Sequence, residues 1–246
     1  SGFCIFNDLG VTIASALRDR WFQRIAYVDI DAHQGDGVMY GFYSDGRVLA
    51  IDLHQDGRTL FPGTGAALEK GDRDGLGLKY NIPLAPGAGD RELISIADRI
   101  VSPLVREFRP ELIVLQHGVD GHAGDPLAQL QYTRVGYGHF LSVVHDLAHE
   151  VAGGRLLVTG GGGYAAGSVT RVLAEAGLRL SGQEVPGNTV PLPEGWRRDF
   201  QQRIGTEAPK EWGGGRRPRP TPTASSAFER TLEDLERVHG RSFAAP

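Results

Sequence analysis

Sulfur is almost missing from this chain: 246 residues contain one cysteine, Cys4, and one methionine, Met39. A single thiol excludes an intramolecular disulfide and points to a reducing, cytoplasmic setting. No run of about 18 apolar residues occurs, so no transmembrane helix and no membrane partner are expected. No charged start leads into an apolar segment of signal-peptide type. Basic residues are not in excess: 26 Lys and Arg stand against 30 Asp and Glu, a net charge of −4. That balance offers no footprint for nucleic acid. The lone methionine carries a further expectation. A chain that opens Ser1-Gly-Phe-Cys-Ile-Phe-Asn7 with no methionine before residue 39 reads as starting partway into a longer protein.

What is present is 40% apolar residues over a length that suits one large domain with a substantial core. Strand-like runs fall at Arg24 to Ile30, Val48 to Leu53, Leu112 to Gln116 and Arg155 to Thr159. Helical patterns lie between and after them. One is capped by Asn7 or Asp8 and runs to about Arg20. Others cover Asp90 to Phe108, with Pro103 as a kink, Thr133 to Val151, and Ser168 to Leu180. Strands separated by helices predict βαβ units: an α/β fold with an open, mostly parallel sheet flanked by helices. The tail changes character. Residues 1–204 read as the α/β domain, 205–226 as a flexible Gly/Pro-rich linker, and 227–246 as a helical tail. Phe228, Leu232 and Leu235 lie on one side of that tail, which suits docking on the body or on a partner.

The polar residues collect where strands end. In Arg24-Ile-Ala-Tyr-Val-Asp-Ile-Asp-Ala-His33, an apolar run finishes with Asp29, Asp31 and His33 at every second position, which share one face of a strand. Burying two carboxylates and an imidazole together is costly unless a cation sits there, and both are good zinc ligands. The other strand-like runs lead into His54 and Phe61-Pro-Gly-Thr-Gly65, into His117-Gly-Val-Asp-Gly-His-Ala-Gly-Asp-Pro126, and into Gly160-Gly-Gly-Gly-Tyr164. Ligands of open α/β sheets bind beyond the carboxyl ends of the strands. Taken singly, each feature has a plainer reading. Asp29 and Asp120 suit turns, the glycine run could cradle phosphate, and Tyr164 could be an ordinary half-buried aromatic. The glycine run lacks the Lys-Ser/Thr ending of a P-loop. His145-Asp-Leu-Ala-His149 echoes a zinc helix with aspartate in place of the basic glutamate; a solvated helix face is the simpler reading. Asp29-x-Asp31 also echoes aspartate-nucleophile phosphatases, but His33 and Gly35-Asp-Gly37 depart from that pattern.

Together these segments resemble the zinc-dependent histone deacetylase superfamily, most closely its bacterial acetoin-utilisation deacetylases. The resemblance rests on Ser1-Gly-Phe-Cys-Ile-Phe-Asn7, Val28-Asp-Ile-Asp-Ala-His-Gln-Gly-Asp-Gly37, Leu53-His54, Leu60-Phe-Pro-Gly-Thr-Gly65, Asn81-Ile-Pro-Leu84, Gln116-His-Gly-Val-Asp-Gly-His-Ala-Gly-Asp-Pro-Leu127 and Gly160-Gly-Gly-Gly-Tyr164. It spans Ser1 to about Leu180 and is looser beyond Pro193. It implies an arginase/deacetylase-like sheet whose first strands are missing here. It also implies Asp31, His33 and Asp120 as ligands of Zn2+, with Fe2+ an alternative for the same donors. By the same resemblance, Tyr164 donates a hydrogen bond to the substrate carbonyl, and Asp29 and Asp36 match carboxylates that orient a pair of catalytic histidines. Gly2, Phe3, Phe61 and Leu127 would line the acyl-lysine tunnel. K+ would bind through Asp29, Asp31, His33, Asp52 and Leu53, and a second monovalent site would fall around Phe42, Asp45 and Val48. The family's His-His pair lies just before the segment matching Ser1 and is absent from this chain, and Gln34 stands where a histidine is commoner.

The implied activity is hydrolysis of N-acetyl-lysine amides in an acetylated protein substrate, with acetyl-CoA synthetase a candidate partner. An acetylpolyamine amidohydrolase is the alternative within the same chemistry, and a non-catalytic acyl-lysine or metal-binding relative the alternative outside it. Without the histidine pair, the chain as given is expected to be a poor hydrolase.

Overall fold

The computed structural model describes residues 2–214 and 218–243. Ser1, residues 215–217 of the linker stretch and the last three residues of the tail lie outside the described residues. Five strands form one all-parallel sheet in the order β3-β2-β1-β4-β5. They are β1 (Ile25–Asp29), β2 (Val48–Gln55), β3 (Lys79–Leu84), β4 (Leu112–Gln116) and β5 (Leu156–Thr159). From β1 the chain steps outward through β2 to β3, then crosses back to add β4 and β5 on the other side. The topological switch point therefore lies between the carboxyl ends of β1 and β4, where a ligand crevice is expected.

Both faces of the central strands are buried, as a parallel sheet requires. Ile25 and Tyr27 pack on one side with Leu9, Ile13 and Leu17 of α1 (Asp8–Arg18) and Val38 and Met39 of α2 (Asp36–Gly41). Ala26 and Val28 face the larger core, which takes in α3 (Asp90–Ile96), α4 (Ser102–Phe108) and α5 (Arg134–Val151). The side chain of Asn7 accepts from Gly10 N at 2.9 Å and starts α1, and Thr133 caps α5 through Val135 N at 3.1 Å. The helical pattern from Asp90 to Phe108 is broken by a π-turn over Ala97–Val101. Pro103 has no N–H to continue the ladder, and the wider turn absorbs that loss.

The sequence pattern did not single out β3. Its Pro83 argues against a central strand, and β3 is indeed an edge, pairing only β2. Beyond α6 (Ala166–Leu180) an exposed, polar helix α7 (Glu194–Ile204) buries only Phe200, so its sequence carries little periodic signal. The last helix, α8 (Pro222–His239), begins inside the stretch read as linker, because Thr221 caps it and Pro222 opens it. Phe228, Leu232 and Leu235 are buried against β3's side of the core, and Thr231 Oγ1 donates to Pro83 O at 3.1 Å. The opposite edge, β5, has no strand beyond it among the described residues, and Leu157 on it is exposed. No helix among the described residues is long and apolar enough to cross a membrane.

Candidate metal centre

Beyond Asp29 the chain leaves β1 and turns, carrying Asp31 and His33 over the switch point. From β4 the loop after His117 brings Asp120 to meet them. One ligand atom from each of Asp31, His33 and Asp120 lies within 4.8 Å of the others, the only such cluster of three among the described residues. His33 Nδ1 is 2.7 Å from Asp120 Oδ2 and 3.2 Å from Asp31 Oδ1. The remaining carboxylate oxygens are fixed by the frame. Ala32 N donates to Asp120 Oδ1 at 2.7 Å, and Gly162 N and Gln116 Nε2 donate to Asp31 Oδ2 at 2.6 and 3.1 Å. Gly162 is where the glycine run matters: a Cβ there would stand 2.0 Å from Asp120 Oδ2 and 2.9 Å from Asp31 Oδ2, inside the cage.

The electrostatics ask for positive charge. Burial pushes Asp120 up to about 7, against the hydrogen bond from His33. Burial also raises Asp31, but hydrogen bonds led by His33 outweigh it and hold that carboxyl at about 2. His33 in turn is pushed up to about 10 by Asp120 and then Asp31. Two carboxylates and one imidazole, buried and already aimed at a common point, fit zinc or another borderline divalent ion.

Tyr164 follows the glycine run and stands over the cage, its ring centroid 6.3 Å from that of His33. Burial, then Asp120 and Asp31, push its phenol up to about 12, so it keeps its proton and remains a donor. Phe3 meets Tyr164 edge to face at 5.9 Å, and Gly2 lies against Phe61: a Cβ on it would be 3.6 Å from Phe61 Cε1. Phe3, Phe61 and Leu127 are all exposed.

Asp29 and Asp52 are register partners on β1 and β2 and are fully buried. Both aim an oxygen at Gly35, whose hypothetical Cβ would lie 2.5 Å from Asp29 Oδ2 and 3.0 Å from Asp52 Oδ2. Asp29 accepts from Tyr27 Oη and from Asp31 N, and burial, then Asp52 and Asp31, raise its pKa well above the carboxylate range. Asp52 accepts from Gly35 N at 2.7 Å and pairs with His54 Nδ1 at 2.7 Å. Leu53 is buried beside it, and Asp36 opens α2, half-buried. Around Phe42, Asp45 and Val48, where the resemblance places a second monovalent cation, the structure puts an ammonium: Lys79 Nζ lies 2.7 Å from Val48 O and 3.2 Å from Asp45 O.

Sequence reasoning missed the residues that hold the site rather than form it. Asp125 is buried; its Oδ2 accepts from Tyr164 N at 2.8 Å and its Oδ1 from Leu127 N at 2.9 Å, tying the tyrosine to the loop that carries Leu127. Gln116 links Asp31 to Gly118 N. Tyr27 alone had a readable signal, since it alternates in phase with Asp29 on β1.

Comparison with known proteins agrees with this geometry. Residues 1–178 match the Histone deacetylase domain family. Acetoin utilization protein AcuC of Bacillus subtilis is 38% identical over 213 residues, covering 86% of this chain and 54% of that protein. AcuC of Staphylococcus xylosus is 36% identical with the same coverage. Among solved structures, the HDA15 HD domain superposes with a TM-score of 0.74 at 26% identity over 97% of this chain and 57% of that one. The histone deacetylase Clr3 gives 0.73 at 27% identity, over 95% and 35%. The chain thus spans about half the length of the curated relatives it matches, and family membership sets aside the phosphatase reading. By sequence, by fold and by the residues at its switch point, this chain belongs to the histone deacetylase family.

Proposed function

We propose that this chain carries the metal cage, phenol donor and tunnel wall of a deacetylase that hydrolyses N-acetyl-lysine amides in proteins. The observation that carries the reading is the convergence of Asp31, His33 and Asp120 under a protonated Tyr164. Asp31, His33 and Asp120 would hold Zn2+, with Fe2+ suited to the same donors. When bound, the metal supplies Lewis acidity toward the acetyl carbonyl and acidifies water.

The chain's own residues do the rest. Tyr164 donates its O–H to the carbonyl oxygen as negative charge develops there. Asp125 holds the Tyr164 backbone and so fixes where that donor points. Phe3 and Phe61, with Gly2 and Leu127, offer apolar surface that suits the alkyl stem of acetyl-lysine and penalises the charged, unacetylated side chain. K+ at Asp29, Asp31, His33, Asp52 and Leu53 would offset the buried carboxylates of β1 and β2. The curated relatives are named for acetoin utilization, which favours a metabolic enzyme such as acetyl-CoA synthetase as the acetylated substrate. One exposed cysteine and no disulfide suit a cytoplasmic setting.

The discriminating experiment is a panel of acetyl-lysine peptides and acetylputrescine, assayed with and without a chelator. Slow but chelator-sensitive product from the peptides is expected of this chain. Preference for acetylputrescine would favour the polyamine amidohydrolase, and stable peptide binding without product would favour a non-catalytic relative.

A further inference from the structure

Two imidazoles outside the cage also meet. His145 and His149 stand one turn apart on α5, the first half-buried and the second exposed. Residues four apart on a helix share a face, but sharing a face does not make rings converge. Here they do: the two Nε2 atoms are 3.1 Å apart, with ring centroids at 4.7 Å. Two imidazole nitrogens bound to one ion at ordinary metal–nitrogen lengths lie about 2.9 Å apart at a right angle and about 3.3 Å apart at the tetrahedral angle. The observed spacing falls between these values.

The surroundings favour a cation. His149 is in the last turn of an 18-residue helix, whose carbonyl end carries partial negative charge. Asp146 and Glu150 flank the pair in sequence, Glu150 being paired with Arg106 of α4 at 2.8 Å, and the Arg155 guanidinium lies against Gly153. The Gly154 backbone lies beside the His149 ring with no side chain of its own to cover it; a Cβ there would stand 3.4 Å from Nδ1. In a neutral imidazole with its proton on Nδ1, Nε2 has the lone pair that binds a metal.

We propose that His145 and His149 chelate a late first-row divalent ion at the surface of α5, with water completing the coordination. Copper(II) binds ahead of nickel(II) and zinc(II), following the general order of affinities for nitrogen ligands. The site is built from residues the deacetylase reading does not use, and stands or falls apart from it.

The test is a copper(II) titration of the full chain followed by electron paramagnetic resonance and calorimetry. The set comprises wild type, His145→Gln, His149→Gln and the cage variant Asp120→Asn. Wild type loaded with zinc at the cage beforehand, and Asp120→Asn, are both expected to give an axial signal with two coupled nitrogens. Either histidine variant should weaken that binding by about 100-fold, the loss expected when a chelate becomes a single contact. Zinc content at the cage and the helical circular dichroism should be unchanged in those variants. Copper affinity equal to wild type in both histidine variants would overturn the proposal and leave the pair as a hydrogen bond between two rings. A nitrogen signal that disappears only in Asp120→Asn would overturn it as well, by assigning the copper to the cage.

Discussion

The Tyr164 phenol keeps its proton because burial, then Asp120 and Asp31, push its pKa up to about 12. The phenol is therefore the protonated donor at neutral pH. Tyr164→Phe removes one donor from the developing oxyanion. Relative to the unsubstituted protein, kcat should fall about 100- to 1,000-fold, roughly 3–4 kcal/mol, with KM nearly unchanged. A variant with wild-type kcat would remove Tyr164 from the chemistry. At this scale much was legible in advance. Asp31, His33, Asp120 and Tyr164 stand at strand ends, and strand ends are where such sheets bind ligands. Asp125, Gln116 and Lys79 were not legible, because what they hold is a backbone group: Tyr164 N, Gly118 N and Val48 O. No residue pattern encodes which distant amide or carbonyl will arrive beside a side chain.

Among the elements, four of the five strands and α1, α3, α4, α5, α6 and α8 followed from apolar runs and caps, while α2, only six residues long, was not singled out. The exceptions have physical reasons: an edge position lets Pro83 sit in β3, and α7 buries too little to show a period. The entry to β2 depends on Lys79, whose ammonium is enclosed at the start of β3 and pushed down to about 8 by burial. Its folded pKa lies below the unfolded value of about 10.4. Between those values the unfolded chain binds more protons than the native one, so stability should rise with pH from about 8 to about 10.4, by roughly 3 kcal/mol in all. Below that window the full cost of enclosing the charge is present. Denaturant melts across pH 7.5–10.5 (about that range, set by the two pKa values) should show the rise in wild type and a flatter profile in Lys79→Met. Parallel profiles for the two proteins would mean that Lys79 is not enclosed as a charged group.

For the whole molecule, β5 ends the sheet with no strand beyond it among the described residues, while α8 lies along β3's side. Leu157 on that edge and Phe3, Ile5 and Phe6 before α1 are exposed. Unpaired strand edges and clustered apolar surface promote association. The 246-residue chain studied alone should therefore self-associate as concentration rises, which sedimentation velocity would detect. A single monomeric species at all concentrations would show that this surface is tolerated. Turnover by the same chain should be slow, since His33 is the only imidazole in the cage among the described residues and it is a proposed ligand, not a free base. Rates matching those of a longer relative would refute that. The most direct test of the central claim is the metal content of purified, zinc-loaded protein in a background with His145 and His149 replaced by glutamine. One divalent ion per chain is expected, falling to none in Asp31→Asn and Asp120→Asn variants that still melt cooperatively. Equal metal content in all three proteins, or undiminished deacetylation by protein free of transition metal, would contradict the account.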